Sequence, residues 1–411
     1  MLTRDDFQAL DRDDALGALR DEFLLPDGVI YLDGNSLGPL PKMAAARIQK
    51  VLGQEWGEDL IKSWTLHGWI DLPGKVGDKI ARFIGGGEGN VACADSTSVN
   101  LFKLLAAALQ LQSERRVILT DTGNFPTDLY VAQGLGGLLG ATHELRMVEP
   151  TEVEAAIDDA VAVVMLTQVD YRTGRKHDMA KITKAAHDAG ALVLWDLSHS
   201  AGALPVDLLG DGVDLAVGCS YKYLNGGPGA PAYLFVAPAL QDRIKPPLSG
   251  WMGHEQPFDF DREYRPAAGI MRNLCGTPAI LAMSALDAAL DVILAADIGA
   301  IRAKSQRMTG LFMELVEKRC DGFGFELLTP SDPDTRGSQV SMTHPHGYPV
   351  MAALIDHGVI GDFRTPDVLR FGFAPLFLRY VDVWDAVESL RMIMAEKRWD
   401  RAEFHVKAAV T

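Results

Sequence analysis

Five apolar runs of strand length constrain this chain most: Val117–Leu119, Ala160–Leu166, Ala191–Trp195, Val213–Val217 and Ala232–Val236. Each is a near-continuous stretch of apolar residues, not an alternation of apolar and polar ones. A strand with one wet face alternates, whereas a strand buried on both faces does not. The runs therefore predict an α/β fold, with a mainly parallel sheet flanked by helices. Between them, Leu101, Leu104, Leu105, Ala108 and Leu109 fall at helical spacing.

Ligands of such sheets bind beyond the carboxyl ends of the strands. Polar groups stand at four of those ends: Thr120-Asp121 before Asn124–Asp128, Thr167-Gln168 before Tyr171–Gly174, Asp196, and Ser220-Tyr221-Lys222. A lysine after one buried strand and an aspartate ending another suit a pyridoxal phosphate (PLP) enzyme. Lys222 would form the Schiff base and Asp196 would keep the pyridine nitrogen protonated. Alone, Lys222 reads sooner as a surface lysine after a strand. His199 would support Asp196 or the phosphate, or is a satisfied strand-end histidine. Ser96–Asn100 precedes the helix near Leu101, where free N–H groups and hydroxyls suit a phosphate; ordinary capping by Ser or Thr is the alternative. Arg370, within Val368–Phe373, would be costly to bury unpaired. It suits a substrate carboxylate or a structural ion pair with Asp362 or Asp367.

The other organisational expectations follow from composition and punctuation. An amphipathic helix is expected within residues 1–25, a strand at Ile30–Leu32, a turn over Asp33–Pro39 and a helix over Met43–Leu60. Trp56, Trp64, His67 and Trp69 form an aromatic cluster that reads as core or subunit interface. Past Ala237 helices are expected at Ala279–Ala296, 299–320, 349–357 and 382–398, with strands at Gln339–Thr343 and Val368–Phe373. This divides the chain into an N-terminal segment (1–50) packing with the small domain, a large PLP-binding domain (51–297) and a small α+β domain (298–411). The net charge of −16 argues against nucleic-acid or anionic-membrane partners. The four cysteines make no CxxC pattern, so no zinc site is expected. An acidic N-terminus and the lack of a long apolar run predict a cytoplasmic protein with no membrane association.

Seven motifs then resemble one family: DGNSLGPLP (33–41), FPTD (125–128), TQVDYRTG (167–174), WDLSHSAG (195–202), CSYKYLNGGPG (219–229), LSGWMGHE (248–255) and LRFGFAPL (369–376) look like kynureninase. The resemblance implies a PLP-dependent fold of the aspartate-aminotransferase type and a homodimer with shared active sites. The implied reaction is hydrolysis of L-kynurenine to anthranilate and L-alanine, in tryptophan catabolism or NAD supply. It further implies that Tyr221 binds phosphate and moves protons, and that Thr97, Ser98, Phe125, Pro126, Thr127 and Asp128 surround the cofactor. Thr167, Asp196 and His199 would complete that shell, with Trp251 and Thr277 reaching the phosphate from the partner subunit. Arg370, Asn35, Ser36, Trp64 and His67 would meet the substrate. Thr277 with Trp64 and His67 favours kynurenine over its 3-hydroxy form. The rivals are a cysteine desulfurase or aminotransferase of the same fold, or a PLP-binding protein without turnover. Tyr221 before Lys222, where a desulfurase has histidine, argues against the first; intact Arg370 and the Asn35-Ser36 loop argue against the second.

Overall fold

The computed structural model describes residues 2–407. Seven strands form the main sheet: β1 (Val91–Cys93), β2 (Val117–Asp121), β3 (Glu144–Val148), β4 (Val161–Thr167), β5 (Leu192–Asp196), β6 (Leu215–Gly218) and β7 (Tyr233–Val236). Their order is β1-β7-β6-β5-β4-β2-β3. From β6 to β3 every pairing is parallel. Only β7 runs against the rest, antiparallel to both β1 and β6.

The continuous apolar runs have the expected cause. Val117, Leu119, Val164, Leu166, Val193 and Trp195 feed the core on one face, while Ile118, Val163, Met165 and Leu194 feed the other. The helix Thr97–Leu111 covers the second face with Leu101, Leu104, Leu105 and Ala108. Two strands carried no apolar signal of this kind: β1 is only three residues long, and β3 is a half-exposed sheet edge.

A second, antiparallel sheet orders Glu326–Leu327, Gln339–Thr343, Val368–Gly372 and Asp362–Arg364. The N-terminal segment joins this region. Ile30–Tyr31 pairs in parallel with Val359–Ile360, and Phe7 packs against Trp384. Both Asp11 carboxylate oxygens accept from backbone N–H groups opening the helix Tyr380–Ala395, an anion where the helix dipole favours one. The helix Lys42–Lys50, however, contacts Ile280–Leu294.

Several element boundaries differ from expectation for local reasons. The first helix stops at Arg12 because the Asp14 carboxylate caps Leu16 N–H and starts a 3₁₀ turn at Gly17. The Met43–Leu60 helix is α-helical only to Lys50 and widens into a π turn over Val51–Trp56, across Gly53, a poor helix former. Cys320 caps the helix Ile298–Arg319 from outside.

One contact ties the N-terminal loop to the chemistry. Gly38 donates its N–H to the Tyr221 carbonyl. A Cβ at Gly38 would meet the Lys222 carbonyl oxygen at 2.4 Å and Asn225 Oδ1 at 2.1 Å. Gly38→Ala must displace the Lys222 loop, and we expect a loss of about 1–3 kcal/mol in stability together with weakened PLP retention. Thermal melts and visible absorbance of the purified variant check both.

Candidate active site

Lys222 lies just past β6, on the loop that returns to β7. Its Nζ sits 2.9 Å from His199 Nε2. The surrounding cavity, about 130 Å³, is lined by Thr97, Ser98, Phe125, Thr127, Asp128, Thr167, Tyr171, Asp196, Ser198, His199, Tyr221 and Lys222. These residues come from the carboxyl ends of four strands and from one helix start, so parallel topology gathers them. Pro126 opens the helix Pro126–Leu138 in the same wall, at a position where its missing N–H costs nothing.

The electrostatics are set by burial. Burial, then the neighbouring Asp196 carboxylate, holds Asp128 well above the usual carboxylate range. Burial also raises Asp196, while Ser198 and a hydrogen bond from Asp128 favour its ionised form. The pair thus holds one proton on Asp128 and leaves Asp196 the better anion. Thr167 Oγ1 donates to Asn124 Oδ1 at 2.6 Å, which also receives Phe125 N–H, so Asn124 locks the loop carrying Phe125. Burial and then Lys222 push His199 well below its ordinary value, keeping the ring neutral. Cys219 and burial raise the Tyr221 phenol, which remains a proton donor.

These residues fit PLP. Ser96 caps the helix Thr97–Leu111 through Val99 N–H, and Thr97 and Ser98, as its first two residues, have backbone N–H groups with no acceptor inside the helix. Their hydroxyls add donors, making a phosphate cradle at a positive helix end. Among the described residues, buried Asp196 feels Lys222 but closes no ion pair, and a protonated ring nitrogen would supply one.

Arg370 is fully enclosed, 2% exposed at the side chain. Its Nε donates to Asp362 Oδ1 at 2.8 Å and its Nη2 to Asp362 Oδ2, so the ion-pair alternative is what this conformation contains. Nη2 also donates to Ser36 Oγ at 2.7 Å and Nη1 to the Tyr171 carbonyl at 2.7 Å. Arg364 donates to the same Asp362 carboxylate. Asn35 is buried against Gly372, and neither amide atom has a hydrogen-bond partner among the described residues.

A single chain does not bring the remaining candidates to Lys222. Trp251 packs with Phe258 and Phe260 beside another cavity. Thr277 lines a third, with Cys93, Asp95 and Cys275. Trp64 stacks edge-on to Trp69, and His67 bonds Asp59. The sequence reading placed Asn124 after a strand end without giving it a role, and missed Arg364 and Asp33; Asp33 carried a signal as an acid within the Gly/Asn-rich turn.

Asp33 is pushed up to about 7 by burial and then by Asp362. A carboxyl whose folded pKa is raised binds its proton more tightly when folded. Its stabilising effect is therefore full below about pH 4 and is lost as pH climbs through about 7. Asp33→Asn should flatten the fall in melting temperature between about pH 5 and pH 8. Melts of both proteins at the two pH values measure this, and identical slopes would exclude Asp33 as the cause.

The chain as a whole is similar to known proteins. Residues 301–390 match the kynureninase C-terminal domain model, and residues 62–210 match the DegT/DnrJ/EryC1/StrS aminotransferase family. Over 416 aligned residues and the full length of both chains, identity is 54% to a kynureninase of Burkholderia pseudomallei (strain 1106a) and 51% to that of Pseudomonas fluorescens. Among solved structures, a cysteine desulfurase from Thermococcus onnurineus NA1 superposes with a TM-score of 0.75 at 21% identity, covering 92% of this chain and 97% of that one. A desulfurase from Escherichia coli gives 0.77 at 18%, over 93% and 98%. At those identities the structural likeness speaks for the fold alone.

Proposed function

The chain belongs to the kynureninase family, and from that premise we propose a division of labour among its residues. The protein is a PLP-dependent hydrolase that converts L-kynurenine to anthranilate and L-alanine. The observation that carries the residue assignments is the Lys222 cavity, in which Lys222, Asp196, Asp128, His199 and the Thr97-Ser98 helix start converge.

Bound PLP supplies an electron sink for negative charge at the substrate Cα. Thr97 and Ser98 would hold its phosphate, and Phe125 would line the space for its ring. Asp196, with Asp128 storing the proton, keeps the ring nitrogen charged. Lys222 would hold the cofactor through its Nζ, and the same amine, once free, would take the Cα proton. Tyr221 keeps its phenolic proton over the neutral range and delivers it during Cβ–Cγ cleavage, after water adds to the γ-ketone. Arg370 receives the α-carboxylate. Asp362 already occupies its Nε edge, so the carboxylate takes the Nη2 donor now accepted by Ser36 and the remaining Nη1 donor.

The same reading makes the protein a cytoplasmic homodimer in which Trp251 and Thr277 serve the partner's site. Support comes from an apolar surface around Val51, Trp56, Trp69, Ile280 and Leu281. Trp56 is 56% and Leu281 38% exposed there, and a contiguous apolar patch of this kind marks an interface. It keeps the division at 1–50, 51–297 and 298–411, and a role in tryptophan catabolism or NAD supply. Thr277, Trp64 and His67 fit an unhydroxylated ring.

Lys222→Ala should lose the borohydride-reducible chromophore and slow anthranilate formation by ~10³-fold or more; a surviving reducible chromophore would place the covalent link elsewhere. Side by side, kcat/KM for kynurenine should exceed that for 3-hydroxykynurenine, and the reverse order would remove Thr277 as a determinant.

A further inference from the structure

Gln339 opens the strand Gln339–Thr343 and is completely buried, and no role assigned above uses it. Its side chain crosses to the loop after β4. There Nε2 donates to the Tyr171 carbonyl at 2.9 Å and the Asp170 carbonyl at 3.3 Å. Carbonyl oxygens only accept, so the amide nitrogen must face them, and Oε1 is left as an acceptor on the other side.

That acceptor is within reach of His199. The Gln339 amide is a neighbour that favours a proton on the ring. Among the described residues, His199 Nδ1 and Gln339 Oε1 are both buried without a hydrogen-bond partner. An acceptor facing Nδ1 places the ring proton there and leaves a lone pair on Nε2. This is the atom that receives Lys222 Nζ at 2.9 Å. A bond from Nδ1 to Gln339 Oε1 would join the two observed ones into a single direction, from Lys222 through His199 and Gln339 to the Tyr171 carbonyl. Arg370 Nη1 donates to that same carbonyl at 2.7 Å.

We propose that Gln339 is a positioning residue: it fixes the His199 tautomer so that Nε2 holds Lys222 Nζ, and through Tyr171 it couples that lysine to the arginine that receives the substrate carboxylate. The tautomer claim stands on these contacts alone; the catalytic half rests on the roles of Lys222 and Arg370 given above.

Nitrogen-15 histidine NMR of the full-length protein tests the first half, with His199 assigned from His199→Asn. The wild type should show one neutral Nδ1–H tautomer. Gln339→Met keeps the length of the side chain but lacks the acceptor. It should shift His199 toward the Nε2–H form and lower kcat/KM for kynurenine about tenfold. Gln339→Glu restores the acceptor, so it should restore the tautomer and move the ring titration upward against the opposing Lys222, Arg370 and Arg364 cations. A wild-type tautomer in the methionine variant overturns the proposal. If that variant does not fold, an unmoved His199 titration in the glutamate variant overturns it equally. A changed tautomer with unchanged kcat/KM overturns the catalytic half and counts against Lys222 and Arg370 in their assigned roles.

Discussion

A sheet buried on both faces can offer polar groups only where its strands end, and this constraint locates the chemistry of the chain. Trp195 is 1% exposed and spends its N–H on Thr183 inside the core; the next residue, Asp196, lies in the cavity. The same transition occurs from Leu166 to Thr167 and from Gly218 to the Lys222 loop. Because these strands are parallel, their transitions fall at one edge, and the site is a by-product of the packing that makes the fold stable.

The second constraint is the handling of buried charge. Burying unpaired ions is costly, and the ions at the site are given a counter-charge or a proton. Asp196 has Asp128 as a proton store; Arg370 has Asp362, which Arg364 also satisfies. Such pairs hold geometry before substrate arrives, and this preorganisation is what transition-state stabilisation needs. Their cost shows in Asp33, whose carboxyl is carried to about 7 by burial beside Asp362. The loop after β4 joins the two arrangements: Gly337 N–H binds the Gly174 carbonyl, Thr329 Oγ1 the Thr173 carbonyl, and Gln339 the Tyr171 carbonyl.

What the sequence revealed followed from how local each signal was. Lys222 and Asp196 were legible because a residue directly after a buried strand inherits its position. The β3 edge was not, because a half-exposed strand has no continuous apolar run. Arg370 was correctly singled out as needing a partner, yet only the folded chain shows Asp362 holding its Nε edge from the adjacent strand. Gln339 and Asn124 gave little sign, since their importance lies in what the chain brings opposite them. Trp251 and Thr277 lie in other cavities of the same chain, a separation no motif spacing contains.

The antiparallel course of β7 has a consequence for the order of assembly. Lys222 sits on the return between β6 and β7, whose pairing joins Gly218 to Tyr233 and Leu215 to Val236. Closing that return fixes little chain, whereas pairing β1 with β7 must bring Val91 to Phe235 across most of the sheet's sequence. Loop-closure entropy grows with the length enclosed, so the lysine-bearing hairpin is the inexpensive contact and the helix start at Thr97 the distant one. The lysine proposed as the cofactor's anchor thus belongs to a local unit, and the helix start proposed to grip its phosphate arrives only when the sheet is completed.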